Sequence, residues 1–213
     1  MKQTSQMDAW TGEFGRAYTD RNLVSPQELD ARYLERLGVT RRALNEEFIG
    51  ALDRGSRILE VGSNVGDQLV LLQEMGFTQL YGIELQWYAV ELSKQRCRGI
   101  NIIQGSAFDI PFRDGYFDLV FTSGVLIHFA PSDIGEALRE IHRTSRRFIW
   151  GLEYFAPQYQ QVRYRDREGL LWKTDFARLY LEHCPDIRLV KRSTLRWIEG
   201  SNEDAMFLLE RRQ

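Results

Sequence analysis

The sequence predicts an α/β fold: a seven-stranded, mostly parallel sheet with helices on both faces, an antiparallel C-terminal hairpin and an N-terminal helical cap. Three observations carry this. Short β-rich runs alternate with amphipathic runs from about residue 57 to residue 152, the signature of parallel strands joined by crossover helices. The first 53 residues contain no such strand and repeat apolar residues at helical spacing. Near the C-terminus two strand-like runs flank the turn residues Glu199-Gly200-Ser201-Asn202, which is hairpin chemistry.

The elements follow in order. In the head, Leu29, Tyr33, Leu34 and Leu37, then Leu44, Phe48 and Ile49, recur every three or four residues. Ser25-Pro26 is a helix start, since proline at the first helical position gives up no needed donor. Strands are expected at Arg57–Val61, Gln79–Glu84, Asn101–Gln104, Phe117–Thr122 and Arg147–Leu152. Helices are expected between them at Gln68–Met75, stopped by Gly76, at Trp87–Arg96, and from a Ser132-Asp133 cap through Ile141. The tail holds a helix near Asp175–His183 and strands near Ile187–Trp197 and Ala205–Glu210. The chain divides into a helical cap (1–53), a ligand-binding core (54–152), a long loop (153–176) and a closing helix and hairpin (177–213), all one domain.

Composition narrows the class. Hydrophobic residues make up 43% and charged residues 27% of 213, the balance of a globular protein. A net charge of −2 leaves no bulk nucleic-acid footprint. Cys97 and Cys184 have neither metal-ligand spacing nor a disulfide framework, so no metal is expected. The start MKQTSQMDAW lacks a signal peptide's apolar core, and no run is long enough to span a bilayer, so a cytoplasmic protein is expected.

The chemistry concentrates at the carboxyl ends of the strands, where open α/β sheets bind ligands. The first strand runs into a turn, Glu60-Val61-Gly62-Ser63-Asn64-Val65-Gly66, and then a helix. It lacks the third glycine of a dinucleotide fingerprint and the Gly-Lys-Ser/Thr of a phosphate loop, which disfavours a nicotinamide oxidoreductase. An acid beside the turn opposes a phosphate and suits an ammonium or sulfonium group. Glu84, ahead of Leu85 at the end of the second strand, can accept from both hydroxyls of a ribose. Gly105, Ser106 and Ala107 follow the third strand, where an adenine would lie, and Ser123, Gly124 and Val125 follow the fourth.

These segments resemble the class I, Rossmann-like, S-adenosylmethionine-dependent methyltransferases. The acid-x-Gly-x-x-x-Gly turn, the ribose acid Glu84, the segment GSAFDIPF and the strand FDLV occur in the family's order over roughly residues 55 to 150. Asn64 stands where the family has a middle glycine, and Ser106 where it has an acid. The resemblance implies S-adenosylmethionine as cofactor and S-adenosylhomocysteine as product; from the charge balance and the lack of a long apolar run, no nucleic-acid or membrane partner is expected. A cofactor-binding subunit without catalysis is the alternative.

Two flanking stretches bear on the acceptor. EYFAPQYQQVRYRDREGLLWKTDF, residues 153–176, interleaves Arg163, Arg165 and Lys173 with Tyr154, Tyr159 and Tyr164, groups suited to a small anionic acceptor such as a carboxylated sugar or nucleotide sugar. WTGEFGRAYTDRN, residues 10–22, puts Trp10 and Phe14 on a stripe expected to pack, with Tyr18, Arg21 and Asn22 positioned as a lid. Together with GVLIH these stretches resemble the methylases associated with pseudaminic acid biosynthesis. His128, just past the fourth strand, is the expected base, and Glu153 the expected carboxylate that orients substrate.

Overall fold

The computed structural model describes residues 2–212; the expected outer boundaries at 1 and 213 fall outside them. Four helices open the chain: α1 (Ser5–Thr11), α2 (Glu13–Arg21), α3 (Pro26–Leu37) and α4 (Arg41–Ile49). Ser25 caps α3 as the sequence indicates: its hydroxyl accepts from Glu28 N while the Glu28 carboxylate accepts from Ser25 N, a reciprocal capping box. Then come β1 (Arg57–Val61), α5 (Asp67–Glu74), β2 (Gln79–Glu84), α6 (Trp87–Arg96), β3 (Asn101–Gln104), β4 (Phe117–Ser123), α7 (Ile134–Thr144) and β5 (Ser145–Tyr154). The tail adds β6 (Gln160–Gln161), β7 (Trp172–Lys173), α8 (Phe176–His183), β8 (Ile187–Arg196) and β9 (Glu203–Arg211).

The seven strands run in the order β3-β2-β1-β4-β5-β9-β8, with only β9 and β8 antiparallel to their neighbours. From β1 the chain winds outward to β2 and β3, then returns to β4 on the other side. The carboxyl ends of β1 and β4 therefore border the switch point where ligands bind. Alternation along β1 feeds two cores. Ile58 packs with Leu44, Phe48, Leu69 and Leu72 of α4 and α5, while Leu59 and Val61 pack with Leu138, Ile141 and Tyr180 of α7 and α8.

Two expectations need correction. Asp133 precedes α7 but makes no capping hydrogen bond; its carboxylate pairs with Lys2 at 2.9 Å instead. Residues 153–176 are not wholly loop: β6 and β7 pair as a short antiparallel ribbon. Among the described residues no helix is long and apolar enough to cross a membrane.

Candidate active site

One cavity of ≈ 570 Å³ opens over the carboxyl ends of β1, β2 and β4, lined by residues of α1, α2 and α3, the glycine turn, the loops after β2, β3 and β4, and by β5 and β9. Its floor is the glycine turn. Gly62 N and Ser63 N both donate to Ile83 O, at 2.9 and 3.0 Å, which ties the turn to β2. Gly62 sits at φ 74°, and a Cβ there would lie 2.7 Å from a Val125 methyl, so both backbone and space demand glycine. Asn64, in the place of the family's glycine, also takes positive φ, 48°. Asparagine is among the few side chains that tolerate this region, so the turn keeps its path.

Glu84 faces the turn. Its Oε2 accepts from Asn64 N at 2.9 Å and its Oε1 from Gln86 N at 2.8 Å. Each oxygen keeps a free lone pair, which fits the two hydroxyls of a ribose. Burial pushes its carboxyl up, while the amides of Gln86, Asn64 and Leu85 pull it back. Glu60 lies deeper; burial drives it well above the usual carboxylate range against the pull of Arg41. Ser106 lines the cavity, and its Oγ accepts from Phe108 N at 3.2 Å. The hydroxyl hydrogen stays available to a ligand.

His128 ends a short 3₁₀ turn, Leu126–His128, and borders the same cavity. Its Nδ1 lies 2.7 Å from Leu170 O. A carbonyl only accepts, so Nδ1 carries the hydrogen and Nε2 keeps its lone pair. The ring packs on Trp10, centroids 4.4 Å apart, and near Tyr164 at 5.7 Å. This burial lowers its pKa to about 4.

Tyr18, Asn22, Tyr154 and Tyr164 join His128 in the cavity wall, together with Gly105, Ala107, Ser123, Gly124 and Leu85. Val125 lines it too, whereas Gly66 and the remaining residues expected at the acceptor do not. Glu153 is buried beneath the 3₁₀ turn, where Oε1 accepts from Val125 N at 3.2 Å; it holds the turn and is not among the cavity's lining residues. Burial raises its pKa to about 7. Arg21 is exposed on the outer face of α2. Arg163 and Arg165 point outward because alternation along their segment turns Tyr164 inward. Arg165 and Asp166 form the loop tip at φ 49° and 62°, with Arg163 near Asp166 at 3.4 Å. Tyr159 packs into the second core. Lys173 hydrogen-bonds Asn202 behind Tyr154.

The sequence reading missed the groups that replace them. Tyr33, Arg32 and Arg36 of α3 line the cavity, as does Asp204 of β9. Arg36 lies over the rings of Tyr33 and Trp197, each 4.9 Å away, and its Nη2 is 3.4 Å from Asp204 Oδ2. Burial raises the Asp204 carboxyl, opposed by Arg36 and by the Trp197 Nε1 that donates at 2.9 Å. Trp10, expected only to pack, lies against His128 with the two rings tilted by 58°. Gln86 clamps the cap: Nε2 donates to Trp10 O at 2.8 Å and Oε1 accepts from Thr19 at 3.0 Å. Among the described residues no group of three or more His, Cys, Asp or Glu converges as metal ligands.

Residues 59–147 match a family model described as a methyltransferase domain. The chain is 30% identical over 93 residues to an uncharacterized methyltransferase, sll0829, of Synechocystis sp., covering 44% of this chain and 43% of that protein. It is 29% identical over 99 residues to the O-methyltransferase rstn1 of Aspergillus nomiae, with 44% and 43% covered. The chain thus spans less than half the length of these curated relatives. The 1,6-didemethyltoxoflavin-N1-methyltransferase of Burkholderia thailandensis, solved with S-adenosylhomocysteine, superposes with a TM-score of 0.72 at 14% identity, covering 100% of this chain and 93% of that one. The [4+2]-cyclase SpnF gives 0.67 at 16% identity, covering 80% and 79%. These structural likenesses establish the fold. The segment that carries the glycine turn thus resembles a methyltransferase domain, and the solved neighbours share its fold.

Proposed function

We propose that the protein transfers a methyl group from S-adenosylmethionine to a small anionic acceptor, a carboxylated sugar or nucleotide sugar. One observation carries the reading: the Glu84 carboxylate beside the glycine turn and the His128 imidazole with a free Nε2 line one cavity. Residues 1–53 act as the cap, 54–152 as the cofactor core, 153–176 as a wall of the acceptor site, and 177–213 as its closing edge. The resemblance to methylases of pseudaminic acid biosynthesis supports a sugar acid, as do Arg32 and Arg36 in the lining of the same cavity as Tyr154. The likeness to the Aspergillus O-methyltransferase supports a hydroxyl acceptor.

The bound cofactor supplies an electrophilic methyl. The chain's own residues do the rest. Glu84 and the turn hold the ribose, with Gly105, Ser106 and Ala107 beside the base. Tyr18, Asn22, Tyr154 and Tyr164 exclude water and hold the acceptor against its target. His128 Nε2 takes the acceptor's hydroxyl proton, and the Leu170 carbonyl keeps the imidazole in the required tautomer. Glu84→Ala should weaken binding of S-adenosylhomocysteine, read by calorimetry, by roughly 1–3 kcal/mol, the worth of charged hydrogen bonds. Unchanged affinity would remove Glu84 from the site. Appearance of S-adenosylhomocysteine during incubation with a pool of sugar acids tests turnover; none formed by a cofactor-bound protein would leave a binding subunit.

A further inference from the structure

Arg41, at the start of α4, is wholly buried. A buried guanidinium ordinarily has a carboxylate against it, because an uncompensated charge in the interior is costly. Among the described residues Arg41 has no such ion pair. Glu60 and Asp204 feel its field without touching it. Its partners are neutral. Nε donates to Asn45 Oδ1 at 2.9 Å. Nη1 donates to both Tyr33 Oη, at 3.1 Å, and Ser123 Oγ, at 3.2 Å. Nη2 has no partner.

The chemistry of these donors fixes what the two hydroxyls do next. Arginine only donates, so both oxygens are acceptors toward it and each retains its own O–H. Neither O–H has an acceptor among the described residues, yet both side chains line the cavity. Two hydroxyls that share one nitrogen lie close together, so a single anionic group can take both hydrogens. Tyr33 also has a second cation near it: the guanidinium of Arg41 lies 5.4 Å from its ring centroid and that of Arg36 4.9 Å. Hydrogen bonds backed by a charge are stronger than neutral ones.

We propose that the hydroxyls of Tyr33 and Ser123, backed by the buried Arg41, form a carboxylate-binding subsite in the cavity. The inference rests on the cofactor reading above. Ser123 ends β4 two residues before Val125, which packs against the space beside Gly62. The subsite therefore adjoins the glycine turn, and the amino-acid carboxylate of the cofactor is its first occupant. An acceptor carboxylate is the other source of the same chemistry.

Tyr33→Phe and Ser123→Ala each remove one oxygen and leave Arg41 in place; thermal melts confirm that both variants fold. Calorimetry compares S-adenosylhomocysteine with 5′-methylthioadenosine, which lacks the amino acid, and then glucuronate added at saturating S-adenosylhomocysteine. Wild-type protein should prefer S-adenosylhomocysteine, and each variant should lose about ten-fold or more of that affinity with 5′-methylthioadenosine unchanged. Loss confined to glucuronate also supports the subsite and assigns it to the acceptor. Wild-type affinity for all three probes, or equal loss for both nucleosides, overturns it. If wild-type protein binds neither nucleoside, the cofactor reading fails, and glucuronate binding alone decides the subsite.

Discussion

His128 has little room to behave as an ordinary histidine. Packed under Trp10 and tied to Leu170 O, its imidazole titrates near pH 4. The ring is neutral across the physiological range, so kcat/KM should stay flat from about pH 6 to 8, without the rise near 6.5 that a free histidine gives. His128→Ala should lower kcat by roughly 10²–10⁴-fold while leaving cofactor affinity intact. A wild-type kcat would make the residue structural. At this scale the sequence was legible where a strand end fixes a side chain: Glu84, Gly62 and His128 could be placed from local pattern alone. Arg36, Arg41 and Asp204 could not, because three distant segments meet to give them a role. Arg163 and Arg165 misled because composition says which groups a loop carries and not which way they face.

At the scale of the element, the 3₁₀ turn Leu126–His128 depends on one buried acid. Glu153 accepts from its first backbone amides, and burial raises the carboxyl to about 7. An acid whose folded pKa lies above its unfolded value binds more protons in the native state. Its contribution is therefore full below about pH 4.5 and is lost as pH rises through 7. Wild-type stability should fall between those limits by on the order of 2–3 kcal/mol relative to Glu153→Gln, whose amide oxygen still accepts. Parallel urea melts of the two proteins at pH 5 and pH 8 check this; identical pH dependence would place the titration elsewhere. The parallel strands were legible as elements because their apolar runs end in glycine turns. The β6–β7 ribbon was not, since two-residue strands leave no periodicity to read.

Across the whole molecule, the cap and the sheet meet through Gln86. Its amide joins Trp10 O on α1 to Thr19 on α2, and Trp10 in turn covers His128. Gln86→Ala should free the cap and speed both entry and departure of S-adenosylhomocysteine, several-fold each, with a smaller change in the equilibrium constant. Stopped-flow tryptophan fluorescence reads this, because Trp10 borders the cavity; unchanged rates would show that α1 and α2 do not gate it. The sheet's topology has a further consequence, for biosynthesis. β9 follows β8 in the chain yet lies between β8 and β5. While the chain emerges from the ribosome, β5 keeps an open edge until residues 203–211 have been made, and β8 has no partner strand until then. Open edges are templates for wrong pairing. Nascent chains stalled before residue 203 should therefore bind chaperones and aggregate, and the carboxylate of Asp204 reaches the cavity only when that edge is sealed.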